Sequence, residues 1–275
     1  VTTRQVLLDP PKPRAGQVSR WPVLQAVGYT LNISTRFLLS MAAGNGTVAR
    51  YDQLIEWYWR KILTAGQLSL VVHGREHFTR GGAHVVMSNH SSLLDIPLMM
   101  ASVPGSVRFV TKEELTRIPI WGHALLASGY IPISRNNRER AIQQLEKAKV
   151  VLRQGLNVWV SPEGTRGRTG ELGPFKKGGF HTALGLGVPV VPAWIEGAFG
   201  IIPPRQFGVT FGGSATVRFG PPIETEGRSK EDLAPLMDEV RRAMVALSGR
   251  PDATAPALAA DTAPASLVAD AVTGA

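Results

Sequence analysis

Apolar residues fall into two long stretches near the start of the chain and into short β-prone runs after Gln67. From Trp21 to about Ala43 the chain is mostly apolar, interrupted by Asn32, Ser34, Thr35 and Arg36, and this predicts a helix that Gly44-Asn45-Gly46 breaks. A second helical stretch, about Val48 to Ala65, carries Trp57-Tyr58-Trp59-Arg60-Lys61. The pair reads as a helical hairpin over residues 20–65, behind an irregular leader at 1–19 that mixes Pro, Gly and basic residues. Rings beside Arg60 and Lys61 suit an interfacial helix, with aromatics at headgroup depth and cations toward anionic lipid. The same rings also suit a helix pair packed on the rest of the protein as core.

After Gln67, β-prone and helical runs alternate, which predicts an α/β domain over residues 66–248. Its expected architecture is a central mixed, largely parallel sheet flanked by helices. Candidate strands are Leu68–Val72, His84–Ser88, Val107–Thr111, Tyr130–Ile133, Asn157–Val160 and Val188–Trp194. Ile142, Leu145, Ala148, Val151 and Leu152 form a stripe at helical spacing over Arg138–Gln154, and Gly155 ends it. Phe207–Phe211 and Ala215–Phe219 flank Gly212-Gly213 as a hairpin. Ser229 with Asp232 opens a last helix, Leu233–Leu247, with Pro235 in its first turn. The Ala/Pro/Thr-rich tail, 249–275, has few large apolar residues and is expected to be disordered.

Composition narrows the chemistry. The 275 residues are 44% hydrophobic, enough for a sizeable core. Cysteine is absent, which excludes disulfides, thiolate metal sites and a cysteine nucleophile. No charge-free apolar run reaches about eighteen residues, so a standard membrane span is not expected. His73, His77, His84, His123 and His181 lack metal-site spacing and read as structural; no metal or cofactor is expected. No Gly-x-Ser-x-Gly elbow supports a serine hydrolase. The net charge is +9, and residues 251–275 hold three Asp and no Lys or Arg, so the body carries +12. Such a body suits nucleic acid, an anionic membrane or phosphorylated substrates.

Two segments concentrate the reactive side chains. Ser88-Asn89-His90-Ser91-Ser92-Leu93-Leu94-Asp95 follows the apolar run Val85-Val86-Met87, where a strand gives way to a helix. An imidazole acts as a base near neutral pH, and a carboxylate on its far nitrogen fixes the tautomer and stabilises the imidazolium. Residues five apart on a continuous helix are rotated by roughly 140°, so His90 must lie in the turn and Asp95 in the first helical turn, reaching back. Ser92-x-x-Asp95 equally fits a capping box in which Asp95 only satisfies backbone donors. With no nucleophile of its own, a His90–Asp95 pair would activate a substrate hydroxyl. The second segment, Trp159-Val160-Ser161-Pro162-Glu163-Gly164-Thr165-Arg166, puts Glu163 and Arg166 on a loop at a strand end, where open sheets place ligands. Arg166 offers a donor fork for phosphate or carboxylate, and Gly164 permits close backbone approach. A surface turn with a solvated Glu–Arg pair has the same composition.

Taken together, these blocks resemble the glycerophospholipid acyltransferase family, of which 1-acyl-glycerol-3-phosphate (lysophosphatidic acid) acyltransferase is typical. Asn89, His90 and Asp95 match its Asn-His-x-x-x-x-Asp block, and Pro162 to Arg166 match its Pro-Glu-Gly-Thr-Arg block. Between them Gly129-Tyr130-Ile131-Pro132-Ile133-Ser134-Arg135 resembles Gly-x-Ile-x-Ile-x-Arg, and Val188-Pro189-Val190-Val191-Pro192 resembles a fourth block. Ser134 stands where the family usually has an acidic residue, and Ser161 where an aromatic often precedes Pro-Glu-Gly-Thr-Arg. The likeness covers roughly residues 65 to 225.

The resemblance implies acyl transfer from an acyl thioester, acyl-CoA or acyl carrier protein, to the free hydroxyl of lysophosphatidic acid, giving phosphatidic acid. His90 would be the general base and Asp95 its orienter. Asn89, Lys112, Arg135, Glu163, Gly164, Thr165 and Arg166 would form the substrate site, with Arg135, Arg166 and Lys112 on the acceptor's phosphate. Glu163 would bind an acceptor hydroxyl or pair with an Arg. Lys176 and Lys177 form a basic loop suited to the phosphates of coenzyme A or an acidic carrier-protein helix. Expected partners are a lysophospholipid acceptor, the acyl donor and an anionic membrane surface, met peripherally or monotopically from the cytoplasmic side, and no nucleic acid. Glycerol 3-phosphate, another lysophospholipid or a lyso-aminolipid is an alternative acceptor. A non-enzymatic basic module is the alternative of another class, and it leaves the matched blocks unused.

Overall fold

A computed structural model describes residues 2–78, 82–134, 137–167, 169 and 171–250, with the backbone alone at 138, 142 and 145. The chain opens with strands β1 (Arg4–Leu8) and β2 (Val18–Ser19), then helices α1 (Trp21–Ala42) and α2 (Val48–Ala65). There follow β3 (Ser69–His73), β4 (Val85–Ser88), α3 (Asp95–Ser102), β5 (Val107–Lys112), α4 (Trp121–Ala127) and β6 (Ile131–Ile133). Next come α5 (Arg138–Arg153), β7 (Asn157–Val160), α6 (Gly178–Leu186), β8 (Val190–Glu196) and α7 (Ala198–Ile201). The last elements are β9 (Val209–Thr210), β10 (Ser214–Phe219) and α8 (Leu233–Ser248).

Eight strands form one sheet in the order β1-β3-β10-β8-β4-β7-β5-β6. It is antiparallel at β1–β3 and β10–β8 and parallel at every other pair, a mixed, largely parallel sheet between helices. Burial on both faces explains why β4 is apolar without alternation: Val86 joins the core under α1 to α4, while Val85 and Met87 join the core under α5, α6 and α8. Several helix starts follow from short polar caps. Thr47 accepts from the Arg50 N–H before α2, Asn137 from the Arg140 N–H before α5, and Ser229 with Asp232 forms a capping box ahead of α8.

The α1–α2 hairpin is not a loose appendage. Ile33, Phe37, Tyr51, Leu54, Trp59 and Leu63 are buried in the core shared with the sheet. Arg108 of β5 is 1% exposed and pins the joint. Its Nε donates to the Ser128 carbonyl at 2.6 Å, its Nη1 lies 3.3 Å from Asp52 of α2, and its guanidinium sits 4.7 Å from the Tyr51 ring. The outer side of α1 is different: Trp21, Leu24, Val27, Leu31, Leu39 and Met41 are exposed. Among the described residues, no helix is long and apolar enough to cross a membrane.

Two expectations change. The leader is not irregular throughout: β1 pairs antiparallel with β3, and β2 with β9. Gly212-Gly213 does not turn a hairpin either, because β9 and β10 belong to different sheets. The Gly212 N–H donates to the Gly66 carbonyl, so that glycine serves a close tertiary approach. The tail from 251 onward lies outside the described residues.

The carboxyl ends of the parallel neighbours β8, β4 and β7 share one edge of the sheet. From β4 the chain passes to β5 on one side, and from β8 to β10 on the other, so the β4–β8 gap is a topological switch point.

Candidate active site

His90 lies in the turn between β4 and α3, and Asp95 is the first residue of α3. The imidazole Nδ1 is 2.8 Å from Asp95 Oδ2, and the same oxygen accepts from the backbone N–H groups of Ser91 (2.7 Å) and Ser92 (2.8 Å). Orientation of histidine and satisfaction of the turn's donors are thus both served by one oxygen. A carboxylate only accepts, so Nδ1 carries the proton and Nε2 the lone pair. Among the described residues Nε2 has no protein partner, and the ring keeps 18% of its side-chain surface open to solvent. Asp95 is fully buried, and its Oδ1 has no hydrogen-bond partner among the described residues.

The second block closes on the His90 peptide from both sides. Glu163 Oε1 accepts from the His90 N–H at 3.3 Å, and the Gly167 N–H donates to the His90 carbonyl at 2.7 Å. Glu163 Oε2 accepts from the Gly173 N–H at 2.9 Å. The side chain is 6% exposed, and this burial pushes its carboxyl above the usual range, against the backbone N–H groups of Gly173 and His90 that favour its charge. Gly164 has φ +71, a left-handed turn position that glycine adopts without strain. The Lys176 N–H donates to the Pro162 carbonyl at 2.6 Å, which seats the basic Lys176-Lys177 loop against this block.

The substrate residues expected from sequence are not all alike in position. Arg166 is half-buried, one residue before the Gly167 contact to His90, and among the described residues its guanidinium makes no hydrogen bond or ion pair. Thr165 is exposed beside it. Asn89 is buried at the end of β4 with its amide engaged on β8: Nδ2 donates to the Ile195 carbonyl at 2.9 Å and Oδ1 accepts from the Ile195 N–H at 2.7 Å. Lys112 ends β5 on the same sheet edge, paired with Glu114 at 3.3 Å. Arg135 lies outside the described residues.

Other supports had no role assigned from sequence. Trp159 packs edge-on to the His90 ring at 5.7 Å, and its indole N–H donates to Ser88 Oγ at 2.9 Å. Arg241 of α8 donates to the Gly173 and Leu172 carbonyls at 2.9 and 3.2 Å and lies 5.3 Å from the Phe175 ring. It braces the loop whose Gly173 N–H holds Glu163. Trp159 stands inside the second block and was open to notice; Arg241, on a distant helix, had no local signal.

A family model described as Acyltransferase matches residues 69–196, the span from β3 through β8. Mouse 1-acyl-sn-glycerol-3-phosphate acyltransferase alpha is 36% identical over 177 residues, 64% of this chain and 62% of that protein. The Caenorhabditis elegans protein acl-2, which carries the same activity name provisionally, is 34% identical over 206 residues, 74% of this chain and 71% of that protein. The crystal structure of the 1-acyl-sn-glycerophosphate (LPA) acyltransferase PlsC from Thermotoga maritima superposes with a TM-score of 0.65 at 28% identity, covering 85% of this chain and 100% of that one. The chain thus spans 62% of the length of the mouse relative.

Proposed function

This chain belongs to the glycerophospholipid acyltransferase family, and on that premise we propose that it transfers a fatty acyl group from an acyl thioester to lysophosphatidic acid at a membrane surface, giving phosphatidic acid. The observation that carries the reading is the His90–Asp95 contact, which leaves Nε2 as the basic nitrogen in a turn clasped by the second block. Nε2 takes the proton of the acceptor hydroxyl as its oxygen attacks the thioester carbonyl. Asp95 balances the imidazolium that forms. The tetrahedral intermediate collapses with cleavage of the C–S bond, and the thiolate leaves with the proton returned by His90. Base catalysis of this kind supplies on the order of a hundred- to ten-thousand-fold.

Arg166, and Lys176 on the loop whose backbone is bonded to Pro162, offer cationic ligands for the acceptor's phosphomonoester after β7. The exposed apolar side of α1 and the +12 charge of the body suit attachment to an anionic lipid surface without a span.

Thiol release from an acyl thioester, followed with and without added lysophosphatidic acid, tests the activity. Release that depends on the acceptor and yields phosphatidic acid supports it; release of equal rate without acceptor, or preference for glycerol 3-phosphate, contradicts it. The attachment is tested by replacing Trp21, Leu24, Leu31 and Leu39 with Ser and measuring co-sedimentation with anionic liposomes. Those side chains are exposed, so the fold is kept, whereas deletion of the hairpin would strip the core of Tyr51, Leu54 and Leu63. Binding equal to that of the parent protein would contradict attachment through α1.

A further inference from the structure

The short ribbon of β2 and β9 carries apolar side chains that are left uncovered among the described residues. Val18 of β2 pairs with Thr210 and is 69% exposed. A Cβ at position 208 would lie 2.8 Å from Val18 Cγ1, so Val18 rests against the backbone of Gly208. Phe207, next to that glycine, is 62% exposed. Just past β2, the exposed Trp21 opens α1, so the outer apolar side of α1 leads onto the ribbon. Val209 of β9 is buried in the core shared with the sheet and fixes the ribbon there.

The charge around these side chains has one sign. Residues 10–51 and 197–223, which supply both strands and their flanks, contain no Asp or Glu. Arg20 follows β2 and Arg205 precedes β9, and both are exposed. The Gln206 N–H donates to the Pro203 carbonyl at 3.1 Å, so Pro204 and Arg205 are the central residues of a turn. Arg205 has φ +64, at a turn position after proline that normally takes glycine. A cation is thus kept where glycine would be less strained.

Exposed aliphatic and aromatic side chains flanked by arginine, with no acid near them in sequence, suit an anionic bilayer. The ring enters the acyl region and the guanidinium groups meet lipid phosphates. The ribbon is also tied to the site. Ser92, two residues after His90, donates through Oγ to the Ile202 carbonyl at 2.8 Å, so the loop that carries Phe207 begins on the His90 turn. We propose that Phe207 and Val18, with Arg20 and Arg205, form a second lipid-contact patch that sets the His90 turn against the bilayer holding the acceptor. This patch rests on the acyl-transfer reading above and extends its membrane contact from α1 to the domain that carries the site.

The chain has no cysteine, so one introduced thiol can be labelled alone. Phe207→Cys carries a nitrobenzoxadiazole label. Val150→Cys carries the control label, on an exposed position of α5, which packs on the other face of the sheet. Each protein is mixed with vesicles of equal parts phosphatidylcholine and phosphatidylglycerol. The label at 207 should shift to the blue and lose its quenching by aqueous iodide, and the label at 150 should do neither. In unlabelled protein, Phe207→Ser and Arg205→Glu should each lower vesicle affinity about tenfold with thermal midpoints kept. At limiting lipid, Phe207→Ser should turn over vesicle-borne lysophosphatidic acid more slowly and a short-chain, water-soluble acceptor at the parent rate. A label at 207 that stays open to iodide on vesicle-bound protein overturns the proposal, and so does unaltered vesicle affinity in Phe207→Ser. A blue shift that needs no vesicles and grows with protein concentration also overturns it, because the patch would then meet a second copy of the chain. If the label inserts but no acyl group is transferred, the patch stands and the acyl-transfer reading falls. Transfer with the 207 label still in water removes the patch and leaves that reading intact.

Discussion

The backbone N–H of His90 donates to Oε1 of Glu163 at 3.3 Å, so a side chain of the second block holds the main chain of the first. The other carboxylate oxygen takes the Gly173 N–H, and Arg241 fixes the Gly173 carbonyl in turn. Glu163 is thereby a positioning residue: it reaches the imidazole through the peptide that carries it.

Glu163→Gln keeps one acceptor but turns an NH2 group toward a backbone N–H that had a partner. Leaving a buried donor unmet costs about 1–3 kcal/mol, and a displacement of about 1 Å at the reacting group can cost on the order of a hundredfold in rate. The expected outcome is a kcat at least tenfold lower with the two KM values little changed, read from steady-state kinetics. The pH dependence has a definite sign. Burial raises the Glu163 carboxyl, so between the ordinary value of 4.5 and the raised one the folded protein keeps a proton that the unfolded chain has lost. That contribution to stability is present below 4.5 and declines as pH rises through the raised value. Glu163→Gln should remove the decline from a series of urea unfolding midpoints.

Arg166→Lys keeps the charge and removes the planar fork. If Arg166 grips the acceptor phosphate, acceptor KM rises about tenfold or more while donor KM stays level. An equal rise for both substrates would mean that Arg166 supports the loop and not the ligand.

Arg108→Ala should be the most destabilising of these changes. It empties a fully buried site, strands the Ser128 carbonyl and releases Asp52 from the α2–β5 joint. Truncation of a large buried side chain that is also one half of an ion pair costs about 3–5 kcal/mol. Chemical denaturation checks this, and a loss under about 1 kcal/mol would mean that the hairpin is held by its apolar contacts alone.

His84 gives an acid-sensitive contribution of opposite sign to that of Glu163. Burial lowers its imidazole below the ordinary 6.5, against the hydrogen bond to Asn157 Oδ1 at 3.0 Å. The folded protein therefore resists a proton that the unfolded chain binds, and stability present above 6.5 is lost as pH falls through the lowered value. The stability difference between the parent protein and His84→Gln should shrink between pH 7.5 and pH 5.5, measured by urea unfolding.

Strands buried on both faces were legible because their apolar runs are short and bounded by Gly, Pro or charge; Asn157–Val160 agrees at both ends. The β1 strand was not, because an edge strand with three exposed residues has no apolar pattern and its partner β3 lies far along the chain. Gly212-Gly213 misled for a related reason: a glycine pair marks a local turn and a tertiary approach alike, and Gly212 here closes on Gly66. At the site, spacing alone placed His90 before the helix and Asp95 in its first turn. The clasp by Glu163 and Gly167, the brace from Arg241 and the commitment of Asn89 to Ile195 depend on three-dimensional neighbours. Likewise the seating of the Lys176 loop on Pro162 is a backbone contact that charge patterning does not announce.

The most direct measurement is acceptor-dependent acyl transfer by His90→Ala beside the parent protein, with thermal unfolding recorded for both. The ring is partly open to solvent and its backbone contacts survive truncation, so the fold should be kept while turnover falls by a factor of about a hundred or more. A folded His90→Ala protein that retains more than about a tenth of the parent turnover would contradict the assignment of His90 as the base.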